Sequence, residues 1–194
     1  NVEMESIMEK KYKALALDLD GTLMDSNKKL SDVNKKAVWE AIDAGTAVIL
    51  ASGRPMFGVL PVARMLELEK HGGYVLAYNG GNILDCKTGK LVYERYVPKQ
   101  CIEDICVAAR ECDVAPLTYY KDKVISERAD DEYVIKEAFC NSASIMQVDN
   151  IPEFVDYPVS KVLVVGEHKK LLPVKEKLEN KYSDILELFF SEDY

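Results

Sequence analysis

The sequence is poor in the residues that build metal-binding and disulfide frameworks. Its 194 residues include only two histidines and five cysteines. The number of cysteines is odd and no Cys-x-x-Cys pair occurs, which argues against a structural zinc site and against a disulfide scaffold. We therefore expect reduced, mostly buried thiols in a reducing compartment.

Long apolar runs and an excess of positive charge are also missing. No apolar stretch approaches the ~20 residues that cross a bilayer, and the charged opening segment 1–13 has no apolar core of a secretory signal. Lys plus Arg number 25 against 33 Asp plus Glu, a formal charge of −8. This balance disfavours nucleic-acid and anionic-membrane surfaces but allows one locally positive pocket. We expect a cytoplasmic protein that binds neither nucleic acid nor membrane.

Strand and helix patterns alternate over residues 1–82. A strand, a helix and a second strand within about forty residues form a βαβ unit, whose strands lie parallel in one sheet. Ser31 is the predicted N-cap of the first helix and Gly45 its predicted end. Pro61 is expected to kink or restart the second helix. The predicted elements are a strand over 14–19, a helix over 31–45, a strand over 46–52, a helix over 55–70 and a strand over 74–77.

Hairpins mixed with helices characterise residues 83–194, so we expect a second, α+β domain with its boundary near residue 82. Its tyrosines fit either strand and core positions or the lining of a substrate pocket: Tyr93, Tyr96, Tyr119 and Tyr120. The predicted elements are a hairpin turning at Thr88-Gly89, a helix over 98–112, a hairpin over 115–127, a helix near 130–140, a strand over 161–167, a helix over 168–182 and a strand over 184–190.

Polar residues follow each of the first three predicted strands. Asp18 and Asp20 are alternate residues of an extended segment and therefore share one side, while Gly21 allows the backbone to turn sharply. Ser52 follows the second strand and Asn79 follows the third. Ligands collect at the carboxyl ends of strands in an open parallel sheet, so we expect these side chains to converge there.

A pair of carboxylates with a hydroxyl opposite suits phosphoryl transfer through an aspartyl phosphate. One aspartate attacks phosphorus, and the other protonates the leaving oxygen and then deprotonates water. An anionic nucleophile needs a divalent cation to approach an anionic phosphate, and Mg²⁺ suits oxygen ligands. The Ser52 hydroxyl and the N–H groups around Gly53 can hold phosphoryl oxygens. The alternatives are a solvated strand end and a calcium loop, whose third acid "DLDGTLMD" lacks.

These segments resemble a known family. "DLDGTL" after an apolar strand and "VILASGR" after a helix are similar to the first two motifs of the haloacid-dehalogenase superfamily of phosphatases. "YVLAYNGG" and the mixed segment after it resemble the Cof-type branch, in which a cap domain is inserted between the second and third motifs. The resemblance implies an α/β fold with a Rossmann-like parallel-sheet core, incomplete at its C-terminal end, and an inserted α+β cap domain.

The resemblance also implies roles for individual residues. Asp18 would be the nucleophile and a magnesium ligand, and Asp20 the acid/base, binding the metal through its backbone carbonyl. Ser52 would bind phosphate with Gly53 beside it.

Two further residues are placed near the substrate by the same resemblance, Arg54 and Asn79. Arg54 fits an ordinary salt bridge as an alternative. Asn79 fits the turn that an Asn-Gly pair favours equally well.

Two other motifs of the family are not recognisable: a lysine that pairs with the nucleophile, and an acidic Gly-Asp loop that completes the magnesium shell. No Gly-Asp dipeptide occurs in the chain. Lys161 is a candidate for the lysine, although the first residue of a predicted strand needs no catalytic role. Because the chain stops where a return to the core is expected, we interpret it as the N-terminal portion of a longer protein, with an exposed edge on the first or third strand.

The sequence thus predicts a Mg²⁺-dependent phosphatase for a small phosphorylated metabolite, such as a sugar phosphate or a phosphorylated cofactor. Its cap would close over the substrate and exclude water. A phosphomutase, which returns the phosphoryl group to sugar, and a non-catalytic phosphometabolite-binding protein without the C-terminal motifs are the alternatives. Product analysis separates the two enzymes, since only hydrolysis releases inorganic phosphate.

Overall fold

The chain forms two compact units. The structure, a computed structural model, describes residues 12–190. The first unit holds the described residues up to Gly53 together with Val59–Val92, and the second holds Arg54–Gly58 and the chain from Tyr93 onward.

A five-stranded sheet organises the first part of the chain. The elements in chain order are β1 (Ala14–Asp18), α1 (Asp32–Asp43), β2 (Ala47–Ala51), α2 (Met56–Met65), α3 (Leu68–His71), β3 (Tyr74–Ala77), β4 (Asn82–Asp85) and β5 (Lys90–Glu94). The order across the sheet is β1-β2-β3-β4-β5. In the described residues β1 is therefore one edge and β5 the other.

The first three strands confirm the predicted α/β class. β1 pairs parallel with β2, and β2 pairs parallel with β3. Val48 and Leu50, which share one face of the middle strand, are at most 1% exposed, whereas Ile49 on the opposite face is only partly buried. The α1 helix begins as predicted, because the Ser31 side chain accepts a hydrogen bond from the Asn34 N–H, and Gly45 follows its last turn.

The β4–β5 hairpin extends this sheet on the far side of β3. β4 pairs antiparallel with β3, and β5 lies beyond β4. The hairpin turns at the predicted place, where the Gly89 N–H donates to the Asp85 carbonyl at 2.9 Å. The boundary predicted near residue 82 falls at the first residue of β4, whereas the compact units divide after Val92, because the hairpin is hydrogen-bonded into the first sheet.

The second unit contains a four-stranded sheet of order β8-β7-β6-β9. Its elements are α4 (Lys99–Glu111), β6 (Ala115–Tyr120), β7 (Lys123–Ser126), α5 (Glu132–Cys140), β8 (Ser144–Gln147), α6 (Ile151–Phe154), β9 (Leu163–Val165) and α7 (His168–Tyr182). β6 is antiparallel to both β7 and β9, and β7 is parallel to β8. No helix within residues 12–190 combines the length and the apolar character needed to span a bilayer.

Helix α4 supplies the centre of the second unit. One apolar cluster joins α4 to α7, and a second joins α4 to β7 and to α6. The buried members of these clusters include Ile105, Ala109, Leu171, Val174 and Leu178 in the first, and Ile102, Cys106, Ile125 and Ile151 in the second. All five cysteines are free, and burial raises the pKa of the Cys106 thiol to about 12.

The tyrosines of this region divide into two kinds. Tyr119 is 7% exposed, and the Tyr120 ring stacks at a tilt on the ring of Tyr157, so both are packed strand residues. Tyr93 and Tyr96 remain 42% and 45% exposed.

Two local predictions are wrong and one strand was missed. α2 continues through Pro61 and does not restart there, and the helical segment breaks at Glu67, whose φ of 55° is left-handed. Residues 184–190 form no strand, since Leu186 and Leu188 pack against the α4–α7 cluster rather than beside a strand. The short strand β8, of four residues, was not predicted.

Candidate active site

The carboxyl ends of β1, β2 and β3 meet at one edge of the first sheet. Asp18, the last residue of β1, is in register with Ala51, the residue directly before Ser52. The Ser52 N–H donates to the Leu76 carbonyl at 2.9 Å, and the Ser52 carbonyl accepts from the Asn79 N–H at 3.1 Å. Backbone register and hydrogen bonds therefore bring the ends of all three strands to the same edge.

The loop after β1 leaves both aspartates exposed. Leu19 between them is fully buried, whereas Asp18 and Asp20 are exposed. Gly21 then turns the chain with a left-handed φ of 78°, and the Leu23 N–H donates back to the Asp18 carbonyl at 3.1 Å. This closed turn leaves both aspartates exposed to solvent at the end of β1.

Lys28, which was not predicted as a site residue, lies beside Asp20. The ammonium of Lys28 is 3.6 Å from a carboxylate oxygen of Asp20, and both side chains are about two-fifths exposed. Lys28 reaches this place because Asp25 caps the turn, accepting from the N–H groups of Asn27 and Lys29 at 2.9 Å each. The polar run from Asp25 to Lys29 was the available signal, but it indicates a turn without indicating which carboxylate the lysine approaches.

Gly53 and Asn79 lie in direct contact. A Cβ placed on Gly53 would be 2.5 Å from Oδ1 of Asn79, so the site has room only for hydrogen at this position. Tyr78 and Asn79 both have left-handed φ values, 53° and 56°. Asparagine tolerates this conformation, but for tyrosine it costs of the order of 1 kcal/mol or more. A strained turn thus fixes the Asn79 amide against the backbone that follows Ser52.

We expect Gly53→Ala to displace the Asn79 side chain. Because the clashing atom is the end of a rotatable side chain, the free energy of unfolding should fall by about 1 kcal/mol or less. The side-chain amide resonances of Asn79 should shift by NMR, and urea unfolding measures the stability. In an Asn79→Ala background, Gly53→Ala should have no further effect. A loss of several kcal/mol in both backgrounds would show that backbone, and not Asn79, fills the space.

Arg54 and Lys161 belong to the second unit. Arg54 is half-buried and follows Gly53 directly, in the segment grouped with that unit. Lys161 precedes β9 by two residues, and its carbonyl accepts from the Thr118 hydroxyl at 2.9 Å. Burial lowers the pKa of its ammonium, and the nearby Glu137 carboxylate opposes this shift. Lys161 therefore lies two residues before the strand that it was predicted to begin, and these facts assign it no catalytic role.

The oxygen ligands at the end of β1 fit a magnesium ion. Mg²⁺ is commonly held by one or two carboxylates together with substrate phosphate and water, and Asp18 and Asp20 are both exposed at a closed turn. Among residues 12–190 no group of three or more His, Cys, Asp or Glu side chains is arranged to hold a metal. The described residues therefore offer oxygen donors on Asp18 and Asp20 for such an ion.

Comparison with known proteins finds similarity to one family of hydrolases. A family model described as haloacid dehalogenase-like hydrolase matches residues 15–194. A haloacid dehalogenase-like hydrolase structure from Bacteroides thetaiotaomicron superimposes with a TM-score of 0.88 at 36% identity, covering 95% of this chain and 69% of that one. An HMP-PP phosphatase of Yersinia pseudotuberculosis is 24% identical over 180 residues, 93% of this chain and 64% of its own length.

A third relative matches a shorter stretch of the chain at higher identity than the HMP-PP phosphatase does. The 5-amino-6-(5-phospho-D-ribitylamino)uracil phosphatase YcsE of Bacillus subtilis is 36% identical over 73 residues, 38% of this chain and 28% of its own length. The chain spans less than two thirds of the length of the curated relatives that it matches.

Proposed function

The chain belongs to the haloacid dehalogenase-like hydrolases, and on that premise we propose that it hydrolyses phosphate monoesters of small metabolites through an aspartyl-phosphate intermediate. The observation that carries the proposal is the meeting of three strand ends: Asp18 and Asp20 after β1, Ser52 after β2 and Asn79 after β3. The resemblance to the Cof-type branch is confirmed by the relatives and by the structural neighbours.

In the first half-reaction an Asp18 oxygen attacks phosphorus. The bond from phosphorus to the ester oxygen breaks while the bond to Asp18 forms, and Asp20 gives its proton to the departing alkoxide. In the second half-reaction Asp20 takes a proton from water, whose oxygen attacks the same phosphorus. The aspartyl bond then breaks, releasing inorganic phosphate and regenerating the Asp18 carboxylate.

The residues after β2 stabilise the phosphoryl group in this proposal. The Ser52 hydroxyl and the N–H of Gly53 donate to phosphoryl oxygens, which gain negative charge in the transition state. Asn79, held against Gly53, keeps its amide near the same oxygens. Arg54 adds positive charge on the substrate side.

Asp18, through its carboxylate, and Asp20, through its backbone carbonyl, would hold Mg²⁺. When bound, the cation supplies charge neutralisation between the carboxylate and the phosphate. Without such neutralisation, the two exposed carboxylates repel an anionic substrate.

The substrate class proposed is a small phosphorylated metabolite, a sugar phosphate or a phosphorylated cofactor. Two named relatives are phosphatases of such compounds, one of HMP-PP and one of a phosphoribitylamino uracil. The net charge of −8 disfavours large polyanions as substrates and leaves small esters.

Product analysis tests the proposal. The 194-residue chain and the full product of its reading frame are incubated with Mg²⁺ and a panel of sugar phosphates and phosphorylated pyrimidines. We expect release of inorganic phosphate that stops when the metal is chelated. An isomeric sugar phosphate without free phosphate would indicate a phosphomutase, and calorimetric binding without turnover by either protein would indicate a binding protein.

A further inference from the structure

The edge strand β5 is exposed along its whole length. All five of its residues, Lys90–Glu94, are exposed, although the middle three are large and apolar. Leu91, Val92 and Tyr93 are 42%, 57% and 42% exposed. Alternate residues of a strand face opposite sides, so Leu91 and Tyr93 present apolar surface on one face and Val92 presents it on the other.

Exposed edge strands usually carry a feature that prevents them from pairing with another strand. The free N–H and C=O groups of an edge invite another strand, and proteins commonly block them with central charges, proline or a bulge. In β5 the charges stand only at the two ends, Lys90 and Glu94, and no proline interrupts the strand. The strand is therefore open to pairing.

The order of residues in β5 is complementary to itself. We propose that β5 pairs antiparallel with β5 of a second copy of this chain, about a two-fold axis at Val92. Lys90 then lies opposite Glu94 of the second copy, and Leu91 lies opposite Tyr93 of the second copy. Each of these pairs occurs twice, and the two Val92 side chains meet at the axis. Opposite charges and aromatic–aliphatic neighbours are the cross-strand pairs that stabilise antiparallel sheets.

Neighbouring registers lose this complementarity. Centring the pairing on Leu91 places Lys90 opposite Val92, and centring it on Tyr93 places Val92 opposite Glu94. In both cases a charge faces an apolar side chain, which a paired sheet disfavours. The charge pattern thus favours a second copy over an unrelated peptide and fixes one register.

The carboxylate at the end of the strand is already oriented. The hydroxyl of Tyr96 donates to one oxygen of Glu94 at 2.5 Å, and this carboxylate raises the pKa of the tyrosine. The proposed partner, Lys90 of the second copy, approaches the same strand end. The pairing joins two five-stranded sheets into one and does not depend on the catalytic chemistry.

Sedimentation velocity of the 194-residue chain over a wide range of concentration tests the pairing. We expect a reversible dimer, weakened roughly tenfold or more in Kd by either Lys90→Glu or Glu94→Lys, because each change sets like charges opposite each other at two places. The double variant Lys90→Glu/Glu94→Lys restores opposite charges and should dimerise like the wild type. The matched control is Lys169→Glu, an exposed charge reversal on α7 that should leave the Kd unchanged.

A wild-type chain that stays monomeric at every concentration overturns the proposal. So does a dimer that neither single reversal weakens more than the Lys169→Glu control does. Weakening by both single reversals without restoration in the double variant overturns the register, since only the Val92-centred pairing places residues 90 and 94 opposite each other.

Discussion

Asp18→Asn is expected to abolish phosphate release, with kcat falling by at least about a thousandfold. The amide matches the shape of the carboxylate but lacks the anionic oxygen that attacks phosphorus. Asp18 is exposed at the end of β1, and the hydrogen bond from Leu23 goes to its backbone carbonyl, which the substitution keeps. The fold should therefore remain, as thermal unfolding followed by circular dichroism will show.

A matched control lies seven residues further along the same loop. Asp25 is exposed, and one of its oxygens accepts from the N–H groups of Asn27 and Lys29. In Asp25→Asn the amide oxygen keeps both hydrogen bonds, so this identical chemical change should leave phosphate release intact. Retained turnover in Asp18→Asn, or an equal loss in Asp25→Asn, would contradict the assignment of Asp18 as nucleophile.

The second aspartate has a different kinetic signature. An acid that protonates the leaving oxygen matters most for poor leaving groups. The test follows release of the leaving group in a single turnover, because the water step that Asp20 also serves is common to all esters. In that measurement Asp20→Asn should slow a sugar phosphate far more than p-nitrophenyl phosphate, whose phenolate leaves without a proton. Equal losses on both esters would argue that Asp20 acts on something other than the leaving group.

Much of the site could be predicted from the sequence because its signals are local. Alternation places Asp18 and Asp20 on one side, and an apolar run followed by Ser52 marks the end of a buried parallel strand. The N-cap at Ser31 is encoded in the same way, by a hydroxyl before a helical pattern. Such short-range patterns predict the folded structure well, because the sheet forms by pairing strands that the local sequence already specifies.

The features that were missed depend on tertiary contacts. The convergence of the strand ends was predicted, but not that Oδ1 of Asn79 lies so close to Gly53 that a Cβ there would be 2.5 Å away. The segment 184–190 has the alternation of a strand, but a strand needs a partner, and Leu186 and Leu188 find the helices instead. Pro61 removes one helical hydrogen bond without preventing helical φ, so α2 passes through it.

The proposed reaction depends on exposed carboxylates, whereas the stability of the second unit depends on a mostly buried one. Asp18 and Asp20 are exposed and lie at a strand end, where a substrate and a cation can reach them. Glu127, which follows β7 in the second unit, is only 10% exposed in its side chain. Substitutions of Asp18 and Asp20 should change turnover with the fold intact, and substitutions of Glu127 should change the free energy of unfolding.

Glu127 connects three elements of the second unit. Its carboxylate accepts two hydrogen bonds from the guanidinium of Arg110 on α4, at 2.8 and 2.6 Å, and one from the N–H of Ile151 at the start of α6, at 2.9 Å. Ile151 is fully buried, so its N–H depends on this acceptor in the intact chain. Burial alone raises the pKa of Glu127, but the hydrogen bonds from Arg110 and Ile151 outweigh it and hold the pKa below its ordinary value.

We expect Glu127→Ala to lower the free energy of unfolding by about 2 kcal/mol, because it leaves the buried N–H of Ile151 without its acceptor and removes the ion pair with the exposed guanidinium of Arg110. Glu127→Gln keeps an oxygen for Ile151 and should cost about half as much. Urea unfolding at neutral pH measures both. Glu40→Gln is the matched control, since Glu40 pairs with Lys36 at 3.8 Å with both side chains mostly exposed, and its effect should stay within about 0.5 kcal/mol.

The stability contributed by Glu127 should disappear in acid. Because its folded pKa lies below the unfolded value, the contribution is complete above about pH 4.3 and is lost as the pH falls through the folded pKa. The gap in unfolding free energy between wild type and Glu127→Gln should therefore be constant from neutral pH to about pH 5 and should shrink below pH 4. A gap that stays constant down to the onset of acid unfolding would mean that shape and neutral hydrogen bonds, and not the charge on Glu127, hold α4 and α6 to β7.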